Sequence, residues 1–166
     1  MGCVVSRAQL VEEIHKLRQI GRKIVFTNGY FDLLHVGHLN YLRQAKGLGD
    51  VLVVAVNADE TARSAKDPRR PIIPEGERAE LVAALDCVDY AVIFGEATAT
   101  ALVDALRPEV YVKGGDYTPT GASAPPEAAS VRAYGGNVVI LPLLPDHSTT
   151  DTIERILTRY GPQSPS

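Results

Sequence analysis

The stretch Val51–Asn57 (VLVVAVN) is apolar at nearly every position. A strand with one face in water alternates apolar and polar residues, whereas a central strand of a parallel sheet is buried on both faces and does not alternate. Parallel strands also need crossover segments, usually helices, to connect them. This run therefore predicts an α/β fold in which helices cover both faces of a sheet.

Four further short apolar runs alternate with segments of helical periodicity. The predicted strands are Lys23–Asn28, Val51–Asn57, Asp89–Phe94, Glu109–Lys113 and Asn137–Leu141. Helical spacing is found from Leu10 to Gly21 and over 36–48, 75–86, 98–106, 127–134 and 148–160. We predict a Rossmann-like, doubly wound, five-stranded parallel sheet in a single domain over 1–160, with an N-terminal helix in 1–21 and a disordered tail over 161–166.

The bulk composition excludes several classes of function. A formal net charge of −3 provides no overall positive field for binding nucleic acid. Cys3 and Cys87 are too few for a disulfide framework and are not spaced like metal ligands. No apolar run suits a membrane helix, and no secretory signal is recognisable. We therefore expect a cytoplasmic protein with no nucleic-acid partner, no membrane partner and no metal held by its own side chains.

Two histidines flank a glycine where the first predicted strand gives way to a helix, in the segment NGYFDLLHVGH that ends with His35, Gly37 and His38. Gly37 allows a phosphate to approach the backbone, and a helix N-terminus offers free N–H groups to it. Imidazoles at this position can donate hydrogen bonds to a phosphate that gains charge in its transition state. The alternative is two unrelated histidines, one packed and one exposed, but the position between strand and helix favours a phosphate site.

Two later loops also follow predicted strands. The run VKGGDY, which begins at Val112, is either a glycine turn with a surface lysine or a loop that lies against a nucleotide. In the run His147-Ser148-Thr149-Thr150, the hydroxyls predict a helix N-cap and can also donate to a triphosphate. These two interpretations of the second loop are compatible.

The segment NGYFDLLHVGH resembles the signature of the HxGH nucleotidyltransferase superfamily, which includes cytidylyltransferases and adenylyltransferases. The resemblance spans about Ile14 to Tyr160. Within it, ERAELVAALDCVDYAVIF, LRPEVYVKGGDY and VRAYGGNVVILPLLP are similar to the branch of heptose 1-phosphate adenylyltransferases. That unit is often fused to a sugar-kinase domain, and this chain resembles the stand-alone form.

The resemblance implies roles for individual residues. His35 and His38 contact the phosphates and stabilise the transition state, while Lys66 neutralises the leaving pyrophosphate. Asp32 and Asp59 orient substrate hydroxyls or the metal. Arg78 either lies near the substrate or is an ordinary exposed helix arginine. The implied nucleotide-binding residues are Thr27, Asn28, Gly29, Tyr30, Phe31, Gly37, Lys113, Gly114, Asp116, Ser148, Thr149 and Thr150.

Two positions depart from the family pattern. Asp67 follows Lys66 where relatives usually carry glycine, and Tyr30 stands where relatives often carry cysteine. Arg69, in the same charged loop as Lys66, is interpreted as part of a solvated turn. The resemblance also implies that Mg²⁺ arrives with ATP rather than in a protein cage, and that the enzyme is a homodimer.

The reaction that the resemblance implies transfers AMP from ATP to D-glycero-D-manno-heptose 1-phosphate and releases pyrophosphate. Two alternatives stay open: a glycerol-3-phosphate cytidylyltransferase, and a non-catalytic nucleotide-binding protein with the same fold. Cytidylyltransferases of the superfamily usually carry an arginine-threonine pair five residues before the Ser-Thr-Thr run. Leu143 and Leu144 occupy those positions here, so ATP is expected to be preferred to CTP.

Overall fold

The computed structural model describes residues 2–65, 67–115 and 117–161. Its strands are β1 (Cys3–Val4), β2 (Ile24–Gly29), β3 (Val51–Asn57), β4 (Tyr90–Phe94), β5 (Val110–Gly114) and β6 (Asn137–Leu141). Its helices are α1 (Arg7–Gln19), α2 (Val36–Lys46), α3 (Asp59–Ala65), α4 (Glu75–Ala83), α5 (Thr100–Leu106), α6 (Ala128–Ala133) and α7 (Thr149–Tyr160).

The strands form one parallel sheet in the order β1-β4-β3-β2-β5-β6. This confirms the predicted doubly wound α/β class, but the predicted count of five strands is wrong, because the described residues form six. The additional strand, β1, is only two residues long and pairs with Tyr90 and Ala91 at the sheet edge. A strand of that length carries no recognisable period in the sequence.

The core lies on both faces of the sheet, as the run over 51–57 predicted. All seven positions of β3 are buried. One apolar cluster packs α2 and α4 against the sheet, and a second packs α1, α5 and α6 against the opposite face. The rigid element that this burial creates holds the loops at the carboxyl ends of the strands in fixed positions.

The strand order reverses between β2 and β5, and this position determines where a ligand can bind. β2 pairs with β3 over its whole length and with β5 on its other side. Where two neighbouring strands are followed by helices on opposite faces of the sheet, a crevice forms at the carboxyl ends of those strands. The crevice here is bounded by the loops after β2, β5 and β6. No helix among the described residues is long and apolar enough to cross a membrane.

Candidate active site

The loop between β2 and α2 is held in an uncommon backbone conformation. Phe31 and Leu33 adopt the left-handed region, with φ of 50° and 45°, which is unfavourable for residues with a Cβ. Asp32, between them, is buried, and its carboxylate accepts hydrogen bonds from the N–H groups of Ile72 (3.0 Å) and Ile73 (3.1 Å). These bonds fix the loop and thereby the position of the histidines that follow it.

The two predicted histidines are stacked at the N-terminus of α2. The ring centroids of His35 and His38 are 3.9 Å apart, with 29° between the ring planes. The backbone N–H of His35 donates to Nδ1 of His38 at 3.4 Å. Because Nδ1 accepts, a neutral His38 carries its proton on Nε2. His38 can therefore donate a hydrogen bond from Nε2 without being positively charged.

Burial, together with the neighbouring His35, lowers the pKa of His38 to about 4. Burial, followed by the charge of His147, also lowers the pKa of His35. The Nδ1 atom of His35 is buried and has no hydrogen-bond partner among the described residues. A buried polar atom without a partner is costly, so this corner has hydrogen-bonding capacity that a ligand can satisfy.

Gly37 lies directly against this corner. A Cβ at this position would come within 2.9 Å of Nδ1 and Cε1 of His35 and within 3.1 Å of the Cβ of His147. Any larger residue would therefore displace the His35 ring. The requirement for glycine here arises from close side-chain packing as well as from the approach of a phosphate to the helix N-terminus.

The depressed pKa of His38 predicts acid sensitivity of folding. The unfolded state, with an ordinary pKa of about 6.5, binds the proton more readily than the folded state. This contribution to stability is complete above pH 6.5 and is lost as the pH falls through about 4. Between pH 7 and pH 4.5, the free energy of unfolding should fall in both proteins. The decrease in His38→Gln should be smaller than that in the wild type by on the order of 2 kcal/mol. Urea denaturation at the two pH values measures this difference.

The matched control for this measurement is His15→Gln, because His15 is exposed on α1. It should lose as much stability on acidification as the wild type. Equal acid sensitivity of His38→Gln and the wild type would contradict the burial of a neutral imidazole at position 38.

The histidine pair faces a cavity of about 260 Å³, here called the first cavity. It brings together most of the predicted nucleotide-binding residues. These are Asn28, Gly29, Tyr30, Phe31, Gly37, Lys113, Gly114, Ser148 and Thr149. Lys113 donates to the main-chain oxygen of Asn28 at 3.1 Å, and burial lowers the pKa of this lysine. The first cavity thus joins one cationic side chain to the helix N-terminus and the hydroxyls of the last loop.

A second cavity of about 240 Å³ adjoins the first and shares Tyr30, Phe31, His38, Ser148 and Thr149 with it. Asp32 and Thr150, both predicted site residues, line the second cavity rather than the first. Thr149 Oγ1 donates to the main-chain oxygen of Asp32 at 2.7 Å. This bond ties the start of α7 to the loop after β2, so the two cavities share one rigid wall.

Thr27 occupies a position beneath the site. Its side chain is fully buried, and its hydroxyl is 2.7 Å from the hydroxyl of Tyr41. It lines neither cavity. Lys66 and Asp116, which the sequence placed at the site, lie outside the described residues, as do residues 162–166 of the predicted tail.

Arg78 is not the exposed helix arginine of one interpretation, because its side chain is 0% exposed. It lies behind Tyr30, which lines both cavities. Its guanidinium donates to the main-chain oxygens of Ile73 and Asn57, both at 2.8 Å, and to that of Tyr30. It also pairs with Asp59 at 2.7 Å. Arg78 and Asp59 therefore connect the loop after β2 to the loops around α3, a positioning role that helical periodicity could not reveal.

Several residues that line the cavities were not predicted as site residues. Tyr41, Tyr117, Leu143, Leu144 and His147 line the first cavity, and Arg70 lines the second. Tyr41 follows His38 by three residues on α2, and this helical spacing was a usable signal. The others lie on loops, where spacing gives no information about direction.

A histidine pair and a helix N-terminus at the switch point of a doubly wound sheet are typical of α/β proteins that bind the phosphates of a nucleotide. The cytidylyltransferase-like family model matches residues 26–155. The chain therefore belongs to the cytidylyltransferase-like family.

Two bifunctional proteins are similar to this chain over most of its length. The bifunctional protein HldE of Trichlorobacter lovleyi is 48% identical over 157 residues, which is 95% of this chain and 31% of that protein. HldE of Geobacter metallireducens is 52% identical over 141 residues, 85% of this chain and 28% of that protein. The chain thus spans about three tenths of the length of these relatives.

A solved structure supports the same relationship. The crystal structure of the lipopolysaccharide core biosynthesis protein from Thermoplasma volcanium GSS1 has a TM-score of 0.59 and 33% sequence identity. The match covers 75% of this chain and 98% of that protein.

Proposed function

We propose that this chain transfers AMP from ATP to D-glycero-D-manno-heptose 1-phosphate, giving ADP-heptose and pyrophosphate. The observation that carries the proposal is the stacked His35–His38 pair facing a cavity lined by Lys113, Ser148 and Thr149. The segments that resemble heptose 1-phosphate adenylyltransferases lie within the span that is about 50% identical to HldE proteins. The name of the solved relative, a lipopolysaccharide core biosynthesis protein, supports a role in surface carbohydrate synthesis.

The reaction is an in-line displacement at phosphorus. An oxygen of the sugar phosphate forms a bond to the α-phosphorus of ATP as the bond to the pyrophosphate oxygen breaks. The acceptor phosphate is ionised at neutral pH, so no general base is needed and catalysis depends on positioning and charge stabilisation. His38 donates from Nε2, and the N–H groups at the start of α2 provide further donors to the phosphate oxygens.

The donor set of the site suits phosphate oxygens better than a protein-held metal ion. Among the described residues, no group of three or more His, Cys, Asp or Glu side chains could hold a metal. Both carboxylate oxygens of Asp32 already accept backbone N–H groups, and Asp59 pairs with Arg78. We therefore propose that Mg²⁺ arrives on the triphosphate, where it neutralises charge between the phosphates.

Arg70 is the described cation best placed for a phosphate in the second cavity. It is half-buried, and its guanidinium donates to Thr150 Oγ1 at 3.3 Å. No carboxylate forms an ion pair with it among the described residues. The neighbouring Arg69 is different, because its side chain is 88% exposed and its guanidinium pairs with Asp67 at 2.8 Å. We propose that Arg70 binds a substrate phosphate, and that Lys66 neutralises the leaving pyrophosphate.

Arg70→Ala is expected to lower kcat/KM by about ten- to a hundredfold, the loss of a charge-assisted hydrogen bond to phosphate. Arg69→Ala, its matched control, should stay within about twofold of the wild type because an exposed ion pair contributes little. Lys66→Ala should also lower turnover more than Arg69→Ala. Steady-state kinetics of the three variants, measured together, test this order. A larger effect at position 69 than at position 70 would reverse the assignment.

We also propose that the enzyme is a homodimer in the cytoplasm. Ile156, Leu157 and Tyr160 on α7 are between 48% and 84% exposed in the part of the chain that the structure describes, and exposed apolar faces are typical of association surfaces. Cys3 and Cys87 are both free thiols, as is usual in a reducing compartment. Sedimentation equilibrium tests the dimer directly.

Pyrophosphate release tests the proposed function against both alternatives. ATP and CTP are each supplied with heptose 1-phosphate, glucose 1-phosphate and glycerol 3-phosphate. We expect the highest kcat/KM with ATP and heptose 1-phosphate. Release with CTP and glycerol 3-phosphate alone would support the cytidylyltransferase, and nucleotide binding without any release would support a non-catalytic protein.

A further inference from the structure

A chain of three polar side chains connects the interior of the protein to the wall of the first cavity. Tyr111, on β5, is fully buried, and its hydroxyl is 2.8 Å from Oε2 of Glu127 and 2.9 Å from Oδ1 of Asn28. Glu127 is only 2% exposed, and its other oxygen, Oε1, accepts the N–H of Ala99 at 2.8 Å. Of the three, only Asn28 lines the cavity.

The numbers of donors and acceptors determine which of the three side chains donates to which. A tyrosine hydroxyl has one proton to donate, and a carboxylate can only accept. Tyr111 therefore donates to Glu127, and its oxygen must accept from the third member. The amide of Asn28 has a donor end and an acceptor end that exchange by a half-turn. The single proton of the Tyr111 hydroxyl cannot serve both Oε2 of Glu127 and Oδ1 of Asn28. A half-turn of the Asn28 amide, which turns its nitrogen to Tyr111 and its oxygen to the cavity, satisfies all three groups.

The charge of Lys113 favours the same orientation. Its ammonium donates to the main-chain oxygen of Asn28 and lines the same cavity. The negative charge of Glu127 acts to raise the pKa of Lys113, against the effect of burial. A cation beside Asn28 stabilises the oxygen end of the amide dipole on the cavity side.

We propose that Glu127, acting through Tyr111, orients Asn28 so that its side-chain oxygen is the acceptor that recognises an N–H or O–H donor of the bound nucleoside. This rests on the proposed function, because it requires that a nucleotide occupy the first cavity. The donor is either a ribose hydroxyl or the exocyclic amino group of the base. Asn28 is then a specificity-determining residue, and Glu127 and Tyr111 are positioning residues.

The variant Glu127→Gln reverses the donor-to-acceptor direction of these hydrogen bonds while it preserves the shape of the side chain. The N–H of Ala99 still requires an acceptor, so the glutamine oxygen stays at that end and its nitrogen faces Tyr111. Tyr111 then accepts from the glutamine and donates to Asn28. Asn28 rotates and presents its nitrogen to the cavity, where the donor of the ligand meets another donor.

The experiment compares dissociation constants of ATP, 2′-deoxy-ATP, 3′-deoxy-ATP and purine riboside triphosphate, measured by calorimetry. The wild type should bind ATP about tenfold more tightly than the one analogue that lacks the recognised donor. The identity of that analogue distinguishes a ribose hydroxyl from the base amino group. In Glu127→Gln the preference should fall to about one, because ATP binds more weakly while the affinity for the analogue is kept.

Tyr111→Phe provides a second test, because it removes only the connecting hydroxyl and should also reduce the preference. Tyr134→Phe is the matched control, since the Tyr134 hydroxyl donates to Pro108 O outside the cavities. It should keep the tenfold preference. Equal weakening of all nucleotides in Glu127→Gln, or no preference in the wild type, would overturn the proposal. Failure of the wild type to bind ATP at all would instead refute the proposed function.

Discussion

Replacing His38 with alanine should lower kcat by about a hundredfold or more and leave the dissociation constant of ATP within a few fold of the wild type. The reason is the donor geometry of the histidine corner. Nδ1 of His38 accepts the N–H of His35, so the neutral ring can donate from Nε2. A hydrogen bond to phosphate oxygens gains strength as charge develops in the transition state, and the ground-state triphosphate benefits less.

Steady-state assays of kcat and calorimetry of ATP binding separate the effect on turnover from the effect on affinity. His15→Ala is the matched control, because His15 is an exposed imidazole on α1 that lines neither cavity. It should show wild-type values in both measurements. A His38→Ala enzyme with normal kcat and only a raised KM would mean that His38 contributes to binding and not to the chemical step.

The value of kcat/KM for ATP should exceed that for CTP by more than about a hundredfold, corresponding to a difference of about 3 kcal/mol. Leu143 and Leu144 line the first cavity at the positions where cytidylyltransferases usually carry arginine and threonine. Leucine cannot form the bidentate phosphate contact that arginine forms. The site therefore lacks one cation on which the cytidylyltransferase arrangement depends.

The packing around Gly114 shows that Leu143 lies directly against the end of β5. A Cβ on Gly114 would come within 2.7 Å of Cδ2 of Leu143 and 3.1 Å of the ring of Tyr41. The backbone at Gly114 and Gly115 and the side chain of Leu143 thus form one wall of the cavity. We expect the base to lie on this wall. Comparable kcat/KM values for CTP and ATP, with heptose 1-phosphate and with glycerol 3-phosphate, would contradict this account.

Most of the fold could be predicted because burial leaves a strong pattern in long elements. Five strands and six helices have the hydrophobic periods expected of a doubly wound sheet. The strand Cys3–Val4 was missed because its backbone pairing with β4 leaves no pattern in two residues. The helix Asp59–Ala65 was missed because it is short, polar and dependent on tertiary contacts such as that between Asp59 and Arg78.

The site was predictable where chemistry and chain position coincide. His35, Gly37 and His38 lie at a strand-to-helix junction, and that position identified them before the geometry was known. Arg78 could not be predicted as a buried connector, since its partners are main-chain oxygens from three separate segments of the chain. The chain from Glu127 to Asn28 spans about a hundred residues of sequence, and only the tertiary structure brings its members together.

We propose above that this chain joins AMP to a sugar phosphate. The most direct test of this proposal is to incubate the protein with ATP, Mg²⁺ and heptose 1-phosphate and to identify the products by mass spectrometry and phosphorus NMR. The account predicts ADP-heptose and pyrophosphate in equal amounts, with neither formed by His38→Ala in the same time. Formation of CDP-glycerol from CTP and glycerol 3-phosphate, with no ADP-sugar from ATP, would contradict it.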